Sequence, residues 1–282
     1  MAKITVPDIK ARKKSENPIT MLTAYDYPFA LLIDKGGIDI ILVGDSLGMA
    51  VLGYTDTVSV TMAEMIHHTK AVTRVVKNAL VIADMPFGSY NVSIEKAIFN
   101  ANRMLKEARA DAIKLEGGIK MASVIEAIVS AGIPVQGHIG LTPQTASALG
   151  GFKVQGKSAE AARTLLDDAK ALEAAGCFSI VLEAIPSPIA QMITESLSIP
   201  TIGIGAGVHC DGQVLVIHDM VGLFDRFTPK FVKQYAKISS VIAQAIESYK
   251  NEVSEKKFPE EKHSFSMSSD ELEKMMTVLK KT

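Results

Sequence analysis

The chain has 282 residues, 48% of them apolar, with 30 Lys and Arg against 31 Asp and Glu and a formal net charge of −1. That balance leaves no basic stripe for nucleic acid and no polybasic patch for a membrane surface, and no run approaches the ~18 apolar residues a membrane helix needs. The opening stretch MAKITVPDIKARKKSENP holds nothing fit for a signal peptide, and Cys177 and Cys210 lack disulfide or metal spacing, so a soluble, cytoplasmic protein is expected.

Short apolar runs alternate with helical patterns along the chain. A strand is expected at 18–24 (PITMLTA), running into Tyr25-Asp26, and a second at 39–44 (DIILVG), ending on Asp45-Ser46. A long loop, 45–60, follows. The next helix covers 61–78, with Thr61 and Glu64 as a capping box, and His67 and His68 lie off its apolar face, where solvent is expected. The third strand, 80–85 (LVIADM), carries Asp84 near its end. A helix over 94–108 repeats Ile94, Ile98, Ala101, Leu105 and Ala108 at helical spacing.

The fourth strand, 111–116 (DAIKLE), brings Lys114 and Glu116. The fifth, 133–138 (IPVQGH), ends at His138 and opens a second long loop, 138–157. A helix over 158–176 leads to 178–183 (FSIVLE), which ends on Glu183. The strand at 199–204 (IPTIGI) enters GIGAG (203–207), where close backbone packing competes with phosphate binding as the reason for the glycines. The eighth, 213–218 (QVLVIH), ends at His218-Asp219. Thr228-Pro229 reads as an N-cap and first-turn proline of a last long helix, with Phe231, Tyr235, Ile238, Ile242, Ala245 and Tyr249 as its stripe. Residues 251–282 turn charged and serine-rich, a tail that is mobile or docked on a neighbour, with one short amphipathic helix over 268–279.

Eight continuous apolar strands covered on both faces, each followed by a helix, point to a single (β/α)8 TIM barrel over 1–250 with an N-terminal extension. An open doubly wound sheet is the alternative. Barrel enzymes place their chemistry at the C-terminal ends of strands. Four carboxylates (Asp45, Asp84, Glu116, Glu183) and Lys114 converge there. Clustered carboxylates repel unless a cation intervenes, and a hard divalent ion with oxygen ligands suits them better than zinc. Such a rim fits 2-oxo acid chemistry, in which a metal polarises the carbonyl and a carboxylate removes the C3 proton. Glu183, on a strand of its own away from the Asp45–Asp84 pair, is the expected base, and His138 a candidate supporting donor.

The segments ITMLTAYD, ILVGDSLGM, YTDTVSVTMAEMIHH, ADMPFGSY, IKLEGG, GHIGLTPQ, VLEAIP and TIGIGAG…CDGQVLVIHDM, in this order over roughly 3–250, resemble the ketopantoate hydroxymethyltransferase family. The resemblance implies a barrel of the phosphoenolpyruvate/pyruvate type, assembled as a homodecamer. It implies transfer of a one-carbon unit from 5,10-methylenetetrahydrofolate to 3-methyl-2-oxobutanoate through a magnesium-stabilised enolate, giving 2-dehydropantoate for pantothenate and coenzyme A synthesis. Asp45 and Asp84 are then expected to hold one Mg²⁺ per subunit and to touch substrate, with Glu116 in the metal shell. Ser46 and Lys114 are expected to bind the oxo-acid carboxylate, and Glu183 to accept the proton. Two alternatives stand beside this one. The first is a C–C lyase or phosphonomutase on the same barrel, against which GGIKMAS offers no loop cysteine. The second is a non-catalytic metabolite-binding barrel, against which the rim keeps its ionisable groups.

Overall fold

The computed structural model describes residues 2–148, 150–223 and 228–280. The chain falls into two compact units, Met1–Tyr235 and Ala236–Thr282. In the first, eight parallel strands close a barrel in sequence order: β1 (Ile19–Thr23), β2 (Ile40–Val43), β3 (Leu80–Asp84), β4 (Ala112–Glu116), β5 (Val135–Gly140), β6 (Ser179–Glu183), β7 (Thr201–Ile204) and β8 (Gly212–Leu215). The helices of this unit are α1 (Val6–Ala11), α2 (Tyr27–Lys35), α3 (Leu47–Ala50), α4 (Met62–Thr73), α5 (Ile94–Lys106), α6 (Ala122–Ser130), α7 (Ala159–Ala174), α8 (Ser187–Ser196) and α9 (Ile217–Met220). No helix among the described residues is long and apolar enough to cross a membrane.

The apolar residues divide into two layers because side chains alternate across a strand. Odd and even positions of one strand serve different cores. Ile41, Val43, Val81, Ile113 and Leu115 point outward into the shell shared with Met65, Met104 and Ile128 of the helices. Ile19, Met21, Ile40, Leu42, Leu80 and Ile82 fill the barrel itself, and Ile9 of α1 joins them. Full burial of side chains this size stabilises by roughly 1.5–3 kcal/mol each. The short α1 thus closes the end of the barrel where the strands begin, flanked by Ile4 and Val6, with the Ile4 N–H donating to the Asn78 carbonyl at 2.7 Å.

The same alternation carries charge into the barrel at the opposite end. Leu80, Ile82 and Asp84 share a face of β3; Ala112, Lys114 and Glu116 share a face of β4; Ser179, Val181 and Glu183 share a face of β6. Register then aligns the polar ends: Asp84 sits opposite Lys114, Glu116 opposite His138, and Gly140 opposite Glu183.

Three local expectations are corrected. The eighth strand stops at Leu215, and the chain turns into α9, where the Ile217 N–H donates to Thr23 Oγ1 at 3.0 Å. His218 and Asp219 therefore sit on a helix, not at a strand end. Thr228-Pro229 does not start the last long helix, α10, which spans Ile238–Ser254. Phe231 instead lies against Gly205, where a Cβ would stand 2.8 Å from its ring, and the Tyr235 N–H donates to the Met220 carbonyl at 2.8 Å. Tertiary packing outweighs the local capping signal. His68 is not simply solvated: its Nδ1 lies 2.7 Å from the Tyr25 carbonyl oxygen. The capping box at Thr61 and Glu64 forms as expected, with reciprocal bonds of 2.7 and 3.2 Å.

The second unit holds α10, a 3₁₀ turn at Glu261–His263 and α11 (Ser269–Leu279), and neither helix has a buried residue. The Ser268 hydroxyl caps α11, accepting from the Glu271 N–H at 3.4 Å.

Candidate active site

The strand ends open into a cavity of about 620 Å³, lined by Asp45, Ser46, Asp84, Lys114, Glu116, His138 and Glu183. All seven residues singled out in the sequence therefore face one space. Thr23, Leu42, Val181 and Val214 form its base, and Phe152, Val154 and Phe231 stand at its mouth.

Local chain geometry sets each side chain. β2 is followed by Gly44, where a Cβ would stand 2.8 Å from Ser46 Oγ and 3.3 Å from Asp84 Oδ2. Glycine there lets Asp84 reach the next residue, and the Asp45 N–H donates to Asp84 Oδ2 at 3.0 Å. The other oxygen, Oδ1, lies 2.8 Å from Lys114 Nζ, with both side chains almost wholly buried. Ser46 Oγ is 2.8 Å from the Tyr25 hydroxyl. His138 lies between two carboxylates: its Nε2 is 3.0 Å from Glu183 Oε2 and its Nδ1 is 3.6 Å from Glu116 Oε1. After Glu183 the chain turns at Ala184, held at φ 48°. That left-handed conformation is uncommon for a residue with a Cβ, and the Ala184 N–H and C=O are anchored to Ile204 and Gln155.

Burial drives the electrostatics. Asp45 is pushed well above the ordinary carboxylate range by burial first and then by the charge of Asp84, against the pull of Lys114. Glu116 is raised by burial and by Asp45. Burial works against the charge of Lys114, but Asp84, Glu116 and Asp45 together hold its pKa above the ordinary lysine value. His138 is lowered, by burial and then by Lys114, although Glu183 opposes this. His138 Nε2 faces Glu183 Oε2 without an aligned hydrogen bond, and its Nδ1 lies 3.5 Å from Lys114 Nζ. Asp219, on α9 at the cavity wall, is pushed up to about 6 by burial.

Among the described residues no three His, Cys, Asp or Glu side chains form a ready-made metal cage. The donor chemistry still suits one kind of ion. Asp45, Asp84 and Glu116 crowd oxygen donors around a single ammonium group, and Asp84 Oδ1 has no aligned hydrogen bond. A hard divalent cation bound by one or two carboxylates, with water and ligand oxygens completing its shell, matches that set.

Other residues take structural roles. Asp26 caps α2, accepting from the Phe29 N–H at 2.9 Å. His218 is buried against the Tyr25 and Phe29 rings. The GIGAG glycines serve close packing, Gly205 under Phe231 and Gly207 against Ser187. Sequence reasoning missed Gln144, whose Nε2 donates to Asp45 Oδ2 at 2.8 Å, and Tyr90, which holds Gln144. The partners of Gln144 are distant in sequence, so its only local signal is an amide beside a turn-starting proline.

Residues 3–261 match the family described as Ketopantoate hydroxymethyltransferase. The 3-methyl-2-oxobutanoate hydroxymethyltransferase of Heliobacterium modesticaldum is 62% identical over 268 residues, covering 95% of this chain and 97% of that protein. Among solved structures, phosphonopyruvate hydrolase has a TM-score of 0.61 at 14% identity, over 99% of this chain and 96% of its own. A 2,3-dimethylmalate lyase, described as a PEP mutase/isocitrate lyase superfamily member, has a TM-score of 0.59 at 14% identity, over 98% of each chain. Those two are like this chain in fold, a closed (β/α)8 barrel. With the whole barrel covered at high identity, the chain belongs to the ketopantoate hydroxymethyltransferase family.

Proposed function

We propose that this chain is a hydroxymethyltransferase that moves a one-carbon unit from 5,10-methylenetetrahydrofolate to 3-methyl-2-oxobutanoate, giving 2-dehydropantoate. Family membership supports the transfer to the oxo acid. The observation that carries the mechanism is the His138–Glu183 contact at 3.0 Å, in the same cavity as the Asp45, Asp84 and Lys114 cluster.

Asp45 and Asp84 would hold one Mg²⁺ per subunit, with Glu116 supporting the site. When bound, the ion withdraws electron density from the 2-oxo group and so acidifies the C3–H. The Ser46 hydroxyl and the Lys114 ammonium take the substrate carboxylate, the latter as a charge-assisted bond. Ser46 is held for this by Tyr25. Glu183 then removes the C3 proton, work that typically contributes about 10²–10⁴-fold. The His138 ring, with Nε2 3.0 Å from Glu183 Oε2, packs beside that carboxylate and steadies it toward the cavity. The resulting C3 nucleophile bonds to the methylene carbon of the folate, both C–N bonds to that carbon break, water supplies the hydroxyl oxygen, and the two folate nitrogens take up the C3 proton and one proton of the water as tetrahydrofolate leaves. The cavity, at about 620 Å³, exceeds the needs of a small branched oxo acid and leaves room above it for the second reactant. Assembly as a homodecamer in the cytoplasm belongs to the same reading, on the strength of the family resemblance.

The test is hydrogen exchange at C3 of 3-methyl-2-oxobutanoate in D₂O, followed by proton NMR with Mg²⁺ present. Wild type exchanges the C3 hydrogen, and Glu183→Gln binds the acid without exchanging it. Exchange at the wild-type rate in that variant rejects Glu183 as the base.

A further inference from the structure

Gln144 stands where the loop after β5 passes over the carboxylates, and both ends of its side-chain amide and its backbone N–H are engaged. Its Nε2 donates to Asp45 Oδ2 at 2.8 Å and to the Met85 carbonyl at 3.0 Å. Its Oε1 accepts from the Tyr90 hydroxyl at 2.6 Å. Its backbone N–H donates to Glu116 Oε2 at 3.1 Å. The residue is only 4% exposed.

The direction of this amide is forced. Turned end for end, Oε1 would face the Met85 carbonyl oxygen, an acceptor that carries no proton at any pH, and the Asp45 carboxylate whenever that group is ionised. The NH₂ must therefore point at Asp45, and the Tyr90 hydroxyl must donate to Oε1. One consequence follows for each acid. Asp45 Oδ2 and Glu116 Oε2 are both taken by Gln144, so Asp45 Oδ1 and Glu116 Oε1 are the oxygens left for a ligand.

We propose that Gln144 is a positioning residue that selects which oxygen of Asp45 and of Glu116 is presented to the metal ion and oxo acid, with Tyr90 fixing the direction of its amide. This rests on the reading of those carboxylates given above. Groups that orient metal-binding carboxylates typically change metal affinity or activity about 10–100-fold when removed. An amide that merely filled space would be replaceable by an apolar side chain of similar shape with little effect.

The experiment compares wild type, Gln144→Met, Tyr90→Phe and the double variant, as full-length proteins. Calorimetric titration with Mg²⁺ alone gives a Kd. Steady-state assays with 3-methyl-2-oxobutanoate give kcat and KM, and thermal melts report folding. Gln144→Met is expected to weaken Mg²⁺ binding and lower kcat by about 10–100-fold, with the KM for the oxo acid changing less than kcat. Tyr90→Phe has a smaller effect of the same kind. The double variant is no worse than Gln144→Met, because Tyr90 acts through the amide.

Gln144→Met with Mg²⁺ binding and kcat both at wild-type values overturns the proposal, and so do effects of the two substitutions that multiply. Should Gln144→Met fail to fold, Tyr90→Phe decides alone: it removes one oxygen, and wild-type Kd and kcat in it overturn the proposal. A wild type that neither binds Mg²⁺ nor exchanges the C3 hydrogen instead removes the underlying reading of the site.

Discussion

Replacing Lys114 by methionine removes the single positive charge among the carboxylates while keeping most of the side chain's bulk. Nζ lies 2.8 Å from Asp84 Oδ1, and at an effective dielectric constant near 20 such a pair attracts by about 6 kcal/mol. Part of that offsets the desolvation of the lysine itself, so the expected net loss is the ~3–5 kcal/mol typical of removing one partner from a buried pair. The loss also depends on pH. Burial and mutual repulsion raise Asp45 and Glu116 in the folded state, and Lys114 pulls both down, so its removal raises them further. A carboxylate raised on folding keeps a proton that the unfolded chain has released. Its stabilising effect is present below the unfolded pKa, near 4, and is lost as pH climbs toward the folded value. The window extends to higher pH in the variant than in wild type, so the deficit widens with pH. Urea unfolding in the presence of a chelator, near pH 5 and near pH 8, measures it through the two midpoints. A deficit at pH 5 equal to or larger than that at pH 8 refutes the argument.

Two further outcomes are expected. Gly140 has φ +98°, and a Cβ there would collide with the Glu183 carbonyl oxygen; Gly140→Ala should lower stability by about 1–3 kcal/mol and slow C3 exchange by displacing Glu183, and wild-type exchange in a destabilised variant would separate the two effects. Thr61→Ala removes one half of the capping box of α4 and should cost about 0.5–2 kcal/mol in urea unfolding, with C3 exchange unchanged.

The barrel is legible in the sequence because each strand is an apolar run long enough to span it and bounded by polar turns. The acids are legible because a charge at the end of such a run has nowhere to go except the mouth. Leu80, Ile82 and Asp84 show this on one strand face. What stayed hidden depends on contacts between distant residues. Thr228-Pro229 carries a good local helix start, but Phe231 is claimed by Gly205 and Tyr235 by Met220. His68 looks like a surface residue until the Tyr25 carbonyl is folded against it. Gln144 meets Asp45 across 99 positions of chain, and no periodicity or spacing rule spans that interval.

The stopper made by α1 has a kinetic corollary. With Ile9 packed in the same core as Ile19, Ile40 and Leu80, the barrel is filled below the acids, and among the described residues the cavity reaches the exposed side chains Phe152, Val154 and Phe231 at its other end. Under the proposed reaction, a carbon donor bound beside Phe152, Val154 and Phe231 would cover the smaller oxo acid beneath it. Ordered binding, with the oxo acid first and the product last to leave, is then the expected kinetic pattern, and initial-rate and product-inhibition measurements check it.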